Sequence, residues 1–313
     1  MAPQPPPHAK LAPDHEPEPV PEPGHVTVLQ PGLRRVVAPN PGPMTYWGTN
    51  TYLLGSGAVT VIDPGPDDPA HLEAVIGALE PGERITRIAV THAHIDHTGL
   101  APALARETGA PVAGFGLVKA GRSAGMRALA AAGLSGGGEG LDHGFRPDLR
   151  IGEGARWGAL GVLATPGHAA GHLVFRWGRA LFSGDTVMAW ASTLVSPPDG
   201  DLAAFMASTE RLASLGAAVF YPGHGPPITD PVARCRWLLA HRRSREAAIL
   251  DALAAASATA GALARAIYTE TPPALLPAAT RNVFAHLIAL EEAGRVTATP
   301  TLQEDAVFAL ASP

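Results

Sequence analysis

The sequence predicts an α/β domain followed by a smaller, mostly helical domain. From Val26 to about Gly223, short apolar runs bounded by Gly, Pro or Asp alternate with longer helical patterns, and this order is typical of the α/β class. After Pro231 the pattern changes to helical segments followed by two short β-like runs. The length of 313 residues suits one large domain with a small one attached.

The first domain is expected to contain eight strands and several helices. The predicted strands are Leu33–Ala38, Thr51–Leu54, Val59–Ile62, Ile85–Thr91, Leu160–Ala164, Leu173–Trp177, Ala180–Phe182 and Ala218–Tyr221. The predicted helices are Pro69–Leu79, Leu100–Thr108 and Leu202–Leu215, the last of which follows Asp201, a residue type that caps helices. Residues 116–159 are rich in glycine and weakly patterned, which predicts a long loop with one helix around Arg122–Ala132.

The second domain is expected to be of the winged-helix type. One long helix is predicted over residues 231–256, a second at Thr259–Tyr268 and a third near Thr280–Ala293. Two β-like runs, Val296–Thr299 and Ala306–Leu310, follow Gly294. Three helices followed by a hairpin are the pattern of a winged helix. The predicted organisation is a disordered Pro-rich tail at 1–24, an α/β domain at 25–230 and a winged-helix-like domain at 231–313.

Composition narrows the kinds of site and partner. Cys235 is the only cysteine, which excludes a disulfide within the chain and a cysteine-rich zinc site, so that any metal must be held by histidine and carboxylate. The single cysteine fits a reducing compartment, and we expect a cytoplasmic location. The nine prolines of the N-terminal stretch do not resemble a signal peptide. No run of about 18 apolar residues predicts a membrane span, and the net charge of −5 does not indicate nucleic acid.

The strongest chemical signal is the run His92-Ala93-His94-Ile95-Asp96-His97, which directly follows a predicted strand. Side chains two residues apart on an extended backbone point the same way, so His92 and His94 can share one metal ion. Asp96 and His97 lie where the chain turns into the next helix and can face a second metal. Three histidines and one aspartate in six residues are hard to explain by packing, because buried unpaired polar groups are costly.

Three later motifs place further ligand-type residues just after apolar strands. His168 lies in Thr165-Pro166-Gly167-His168, Asp185 in Ser183-Gly184-Asp185, and His224 in Tyr221-Pro222-Gly223-His224-Gly225. Glycine-bordered turns of this kind let the backbone approach a site closely. Each motif alone is a weak signal, but four in order at strand ends predict one metal centre.

These motifs resemble the metallo-β-lactamase superfamily, whose signature is HxHxDH followed by His, Asp and His on separate strands. The resemblance covers about residues 26–230 and implies an αββα sandwich with the site at one edge of the two sheets. The ligand sets that it implies are His92, His94 and His168 for one metal and Asp96, His97 and His224 for the other, with Asp185 bridging the two. Asp63 matches the family's earlier aspartate, which orients the site from behind the ligands, although a simple turn aspartate is the alternative.

The resemblance also implies the chemistry of the site. Imidazole and carboxylate ligands suit two zinc ions, and iron or manganese is compatible with them. Two metals ~3.5–4 Å apart lower the pKa of a bridging water to near neutrality, and the resulting hydroxide attacks a carbonyl or a phosphorus. Asp96 could in addition orient the nucleophile or carry a proton. His172 could contact the substrate or act as an acid, or it could only support the site.

The C-terminal region resembles one branch of the superfamily. The run Tyr221–Ile228 and the winged-helix pattern after it are similar to the lactamase-β-like branch, which includes a mitochondrial single-strand endoribonuclease. The expected function is a zinc hydrolase acting on an ester, thioester or lactone. The alternative is a single-strand endoribonuclease that hydrolyses RNA phosphodiesters with the same site. A winged-helix DNA-binding regulator and an iron oxygenase are weaker alternatives.

An arginine cluster bears on the choice between a small-molecule substrate and RNA. Its members are Arg234, Arg236, Arg242, Arg243 and Arg245. The cluster could follow a phosphate backbone, or it could be a solvated face or join the two domains. From Arg242 onward six arginines oppose seven acidic residues, whereas nucleic-acid-binding modules usually carry a basic face.

Overall fold

The computed structural model describes residues 19–134 and 140–312, and residues 1–18 of the predicted tail lie outside this part of the chain. The strands are β1 (Val26–Gln30), β2 (Leu33–Val37), β3 (Asn50–Leu54), β4 (Ala58–Ile62), β5 (Arg84–Ala89), β6 (Val112–Gly114), β7 (Leu149–Arg150), β8 (Arg156–Trp157), β9 (Leu160–Ala164), β10 (Leu173–Trp177), β11 (Ala180–Gly184), β12 (Val219–Pro222), β13 (Ala258–Thr259), β14 (Val296–Thr299) and β15 (Val307–Leu310). The helices are α1 (Pro69–Gly77), α2 (Ile95–Thr98), α3 (Ala101–Thr108), α4 (Ala124–Ala131), α5 (Leu202–Ser214), α6 (Pro231–Ala255), α7 (Ala260–Ile267) and α8 (Leu276–Glu292), with a 3-10 turn at Pro273–Leu275.

The predicted strands and helices are all confirmed, with small shifts at their ends. The largest shift is at α8, which begins at Leu276 rather than at Thr280. Pro277 lies in its first turn, where the missing backbone N–H has no helical partner to lose. The weakly patterned segment 116–159 contains α4 as expected and, in addition, the two-residue strands β7 and β8.

Two sheets form the core of the first part of the chain. One sheet has seven strands in the order β1 to β7, and the other has five in the order β12-β11-β10-β9-β8. The neighbours β4 and β5 run parallel in the first sheet, as do β11 and β12 in the second. The carboxyl ends of each parallel pair therefore meet at one edge of their sheet.

Alternation along the strands gives each sheet two different faces. In β3, Tyr52 and Leu54 pack toward the second sheet, while Leu53 packs with the side chains of α1 and α3. In β10, Phe175 joins the layer between the sheets, while Val174 packs with α5 and α6. Helices thus cover the outer face of each sheet, which is the αββα arrangement expected from the sequence.

The C-terminal part of the chain has its own core. α7, α8 and the end of α6 pack against the small sheet β13-β15-β14. Leu263, Phe284 and Phe308 are almost fully buried there. Three helices with a small β-sheet form the predicted winged helix.

Helix α6 belongs to both cores. Cys235 and Leu238 pack beneath the second sheet, whereas Ile249 and Leu253 lie in the winged-helix core. The 25 residues of α6 are one continuous helix, so the two parts are joined by packed structure, and the boundary predicted at residue 230 stays a prediction. None of the described helices is long and apolar enough to cross a bilayer.

A buried histidine beneath α6 makes the stability of the winged helix depend on pH. His286 of α8 is 1% exposed, and within residues 19–134 and 140–312 neither of its ring nitrogens has a hydrogen-bond partner. Burial lowers the pKa of His286 to about 3, and the positive charges of Arg242 and Arg245, with His241, act in the same direction. The folded protein therefore holds this imidazole neutral, while the unfolded chain binds a proton below pH ~6.5.

We expect His286→Leu to reduce the loss of stability on acidification. The unfolded state binds more protons than the folded state between the two pKa values, so the free energy of unfolding falls as the pH drops below ~6.5. At pH ~5 the wild type should have lost about 2 kcal/mol through His286, and the variant should not lose this amount. Urea unfolding of both proteins at pH 7.5 and pH 5 measures the difference. Equal losses in the two proteins would contradict a neutral His286.

Candidate metal centre

The predicted ligand residues all follow strand ends at one edge of the two sheets. His92 and His94 come after β5, and His168 comes after β9. Asp185 follows β11 directly, and His224 follows the neighbouring parallel strand β12. The structure brings these residues together with Asp96 and His97 of α2. Apart from Asp96, all of them are almost completely buried.

Three histidines form the first group of the site. His94 Nδ1 lies 2.9 Å from His92 Nε2 and 3.1 Å from His168 Nε2. Burial lowers the pKa of all three imidazoles, and that of His94 falls to about 3. Neutral imidazoles offer a nitrogen lone pair, so three donor atoms converge on one point.

Two histidines and an aspartate form the second group. His224 Nε2 lies 3.2 Å from Asp96 Oδ2, and His97 Nε2 lies 3.5 Å from the same oxygen. The ligand atoms of Asp96, His97 and His224 all lie within 4.8 Å of one another. This group faces the first group across the carboxylate of Asp185.

Asp185 lies between the two groups. Its Oδ2 is 3.3 Å from His224 Nε2 and 3.8 Å from His168 Nε2, and its Oδ1 is 3.6 Å from His97 Nε2. One carboxylate thus faces a histidine of the first group and both histidines of the second. This is the position that a bridging ligand requires.

The carboxylates give the site a strong preference for positive charge. Burial opposes protonation of His97, yet Asp96, Asp185 and Asp63 hold its pKa well above the usual value. Burial is also outweighed at His224, where Asp185 and Asp96 raise the pKa to about 9. Divalent cations would be attracted by the same carboxylates and would displace these protons on binding.

Two buried atoms show that the residues fit a metal ion. Within the part of the chain that the structure describes, His97 Nε2 and Asp185 Oδ1 have no hydrogen-bond partner. Buried polar atoms without partners are rare and point to a missing ion or water. A Cβ atom on Gly223 would overlap both Asp185 Oδ1 and His97 Cε1. The residue at position 223 must therefore be glycine for the backbone to lie this close to the site.

The ring nitrogens that are not directed at the site make contacts of their own, and these contacts orient the imidazoles. His97 Nδ1 lies 3.0 Å from Asp63 Oδ2, and His168 Nδ1 lies 2.8 Å from the carbonyl oxygen of Leu194. His224 Nδ1 lies 3.3 Å from the carbonyl oxygen of Gly48. Contacts of this type fix the ring orientation and tautomer of metal-binding histidines.

Asp63 lies where the sequence placed it, directly behind the site. Besides facing His97, its carboxylate accepts hydrogen bonds from the backbone N–H of Thr91 (2.7 Å) and the Thr91 hydroxyl (2.8 Å). The sequence did not reveal three further partners, Leu194, Gly48 and Thr49. The hydroxyl of Thr49 donates to Asp96 Oδ2 at 3.3 Å. Carbonyl groups carry no sequence signal, and no motif marks Thr49 as a partner of Asp96.

His172 lies behind Asp185 and not on the open side of the site. It is 1% exposed, and its Nε2 accepts a hydrogen bond from the backbone N–H of Asp185 at 3.2 Å. Its Nδ1 lies 2.9 Å from the hydroxyl of Thr165 and 3.1 Å from that of Thr186. Both ring nitrogens are thus engaged within the protein, which favours the supporting role over contact with substrate.

The arginine cluster of α6 is exposed only in part, at Arg236 and Arg243. Arg234 and Arg242 are buried, and Arg234 donates to the carbonyl oxygens of Met188 (2.7 Å) and Ala191 (2.6 Å). Arg243 is exposed and pairs with Glu210 at 2.8 Å. Arg242 donates to the carbonyl oxygen of Ser192 at 2.9 Å and to Asn282 Oδ1 of α8 at 3.0 Å. Arg234 and Arg242 therefore hold the loop after Asp185, and Arg242 also links this loop to α8.

A large cavity lies beside the candidate metal-ligand residues. Its volume is about 810 Å³, which is within the range of small-molecule sites. His94, Asp96, His168, Asp185 and His224 line it, and so do Pro277 and Ala278 in the first turn of α8. The winged helix thus contributes directly to the surroundings of the site.

Comparison with known families agrees with this geometry. The family model of the metallo-beta-lactamase superfamily matches residues 44–224, which is more than half of the chain. The chain belongs to the metallo-beta-lactamase superfamily. The model of the beta-lactamase associated winged helix domain matches residues 259–303.

Relatives within the metallo-beta-lactamase superfamily cover most of the chain. The Beta-lactamase-like protein 2 homolog of Drosophila melanogaster is 31% identical over 90% of this chain and 94% of its own length. The atrochrysone carboxyl ACP thioesterase of Aspergillus fumigatus is 31% identical over 75% of this chain and 69% of its own length.

Two solved structures are similar to this chain in fold. The family protein TTHA1429 from Thermus thermophilus has a TM-score of 0.72 and 28% identity, and the match covers 90% of this chain and 100% of that one. TTHA1623 in a di-iron-bound form has a TM-score of 0.50 and 32% identity, covering 64% of this chain and 97% of its own. The metallo-beta-lactamase superfamily consists generally of hydrolases that bind metal ions, and this chain is an enzyme of that class.

Proposed function

We propose that this enzyme is a dinuclear zinc hydrolase that cleaves an ester, thioester or lactone. The observation that carries the proposal is the pair of ligand groups with Asp185 between them. His92, His94 and His168 would hold one ion, and Asp96, His97 and His224 would hold the other. The similarity to TTHA1623 in its di-iron-bound form supports two ions, while the ligand types suit zinc and are compatible with iron or manganese.

The reaction needs water, an acyl group and a place for one proton. Two bound metal ions would activate the water and polarise the acyl carbonyl. The water oxygen adds to the acyl carbon, the carbon–sulfur or carbon–oxygen bond breaks, and the products are a carboxylate, a thiol or alcohol, and a proton. The similarity to an ACP thioesterase favours a thioester among these substrates.

Residues of this chain supply orientation and proton transfer. Asp96 lines the cavity, and its side chain is 22% exposed, more than that of His97, His224 or Asp185. We assign to it the role of orienting the water and receiving its proton. We assign His172 and Asp63 to positioning, the first through the backbone of Asp185 and the second through His97. A cytoplasmic location stays a prediction from the single cysteine.

Metal analysis combined with parallel hydrolysis assays tests the proposal. We expect about two metal ions per chain, and hydrolysis of a thioester, an aryl ester or a lactone that a chelator abolishes and zinc restores. A chain that binds no zinc and hydrolyses none of these substrates would refute the proposal. Cleavage of single-stranded RNA without hydrolysis of any acyl substrate would instead establish the endoribonuclease alternative.

A further inference from the structure

The cavity beside the site has apolar walls. Met44 and Ile95 line it and are 46% and 55% exposed. Met188 and Leu194 line it from the loop that follows Asp185, and Leu275 lines it from the 3-10 turn before α8. Exposed large apolar side chains grouped beside a reactive site usually mark a binding surface.

The charge of the cavity wall is neutralised by the protein itself. Among the described residues that line the cavity, Arg281 is the only lysine or arginine. Its Nη1 is paired with Glu304, its Nη2 donates to the carbonyl oxygen of Pro197, and its Nε donates to the Ser196 hydroxyl at 2.9 Å. Away from the ligand residues, the wall consists of apolar side chains, Thr45 and the paired Arg281 and Glu304. This wall suits an uncharged group better than a phosphate backbone.

The start of α8 contributes to the wall of the same cavity as the ligand residues. Ala274 and Leu275 line it from the 3-10 turn, and Pro277 and Ala278 line it from the first turn of α8. The small side chain of Ala278 leaves room that a larger residue would fill. The winged helix and the candidate ligand residues thus line one continuous cavity.

We infer that the substrate carries an apolar, uncharged acyl group that binds between Met44, Ile95 and the first turn of α8, and that Ala278 sets the acyl length this cavity accepts. This inference rests on the proposed hydrolase function. Each methylene that leaves water for an apolar wall strengthens binding by about fourfold, equivalent to about 0.8 kcal/mol. Longer acyl groups should therefore bind better until they reach α8.

Binding of uncharged, unreactive amides tests the inference without requiring turnover. Propanamide and octanamide are titrated by calorimetry into the zinc-treated full-length chain. We expect octanamide to bind at least tenfold more tightly than propanamide. Ala278→Leu should weaken octanamide at least tenfold and leave propanamide within twofold. Ala254→Leu, the same substitution at an exposed position of α6 away from the cavity, is the matched control and should bind both amides as the wild type does.

Hydrolysis of an acyl series provides the second measurement. In the wild type, kcat/KM should rise from acetyl to octanoyl thioesters. In Ala278→Leu the ratio of octanoyl to acetyl kcat/KM should fall at least tenfold, whereas Ala254→Leu should keep the wild-type ratio. Equal binding of both amides by the wild type, or octanamide binding that Ala278→Leu does not alter, would overturn the inference. Displacement of octanamide by a single-stranded RNA oligonucleotide would also overturn it. Tight octanamide binding without hydrolysis of any ester or thioester would support the apolar site and refute only the hydrolase function.

Discussion

Asp185→Asn should lose at least one of two bound metal ions and lower hydrolysis by more than a hundredfold. The Asp185 carboxylate faces His168 of the first group and His97 and His224 of the second at 3.3–3.8 Å. An amide keeps the shape of this side chain but removes the negative charge and one of the two oxygen atoms. Removing an outer partner of a metal ligand already costs ten- to a hundredfold, so the loss of a bridging ligand should exceed that range.

Metal content and kcat/KM of the purified variant measure this effect. The matched control is Asp251→Asn, on the exposed surface of α6, which should keep both metals and full activity. The variant should remain folded, because Asp185 lies at a strand end and outside the apolar cores. Two metals per chain and wild-type turnover in Asp185→Asn would remove it from the bridging position.

Arg242→Met should lower the free energy of unfolding by about 3 kcal/mol or more. Arg242 is 1% exposed, and its guanidinium donates to the carbonyl oxygens of Ser192 and Thr193 and, at 3.0 Å, to Asn282 Oδ1. Methionine fills the space of the stem but leaves the carbonyl oxygens of Ser192 and Thr193 without this donor, while Asn282 Oδ1 keeps the backbone N–H of Val195 at 3.0 Å. The cost of buried acceptors without a donor, about 1–3 kcal/mol each, outweighs the gain from no longer burying a charge.

Arg242→Met should also weaken metal binding, because Arg242 contacts the loop after Asp185, and this loop contacts the ligand residues. The Thr193 hydroxyl donates to the carbonyl oxygen of Asp185 at 3.0 Å, and the carbonyl of the next residue, Leu194, faces His168. We expect zinc affinity, measured against a competing chelator under conditions where the variant is folded, to fall at least tenfold. Arg242→Lys, which keeps the charge but has a single donor nitrogen, should recover part of it.

The neighbouring arginine provides the control for this prediction. Arg243 has a 65% exposed side chain that pairs with Glu210, and exposed pairs contribute at most about 1 kcal/mol. Arg243→Met should therefore change stability by about 1 kcal/mol or less and leave zinc affinity unchanged. Similar effects of the two substitutions would show that the buried contacts of Arg242 do not hold the loop.

The sequence predicted the fold well wherever an apolar run was long and clearly bounded. β9 and β10 were predicted to the residue. Strand β1 was missed because Val26 and Val28 are exposed at the edge of the sheet, so the strand is not marked by a buried apolar pattern. Strands β7 and β8 have two residues each, too few for any periodicity to appear.

The site was predictable for a different reason. Ligand residues stand next to strand ends in the sequence, and parallel neighbours such as β11 and β12 bring those ends together. The role of Arg242 could not be predicted in this way. The sequence Arg242-Arg243 favours two exposed arginines, and only the packing of α6 shows that Arg242 is buried. His172 was ambiguous for the same reason, since only the structure shows its ring nitrogens engaged with Asp185 and the two threonines.

The anchoring of the loop after Asp185 has a consequence for biosynthesis. Arg242 and Asn282 fix residues 192–195 from α6 and α8, yet both are translated later than every ligand residue. At roughly 5–20 residues per second, a ribosome needs on the order of 3–12 s to proceed from His224 to Asn282. During that interval the nascent chain already contains all of its histidines and aspartates for the site, but the side chains that hold their loop have not been made. The candidate ligand residues therefore reach their final, anchored geometry only after the last helix has been translated.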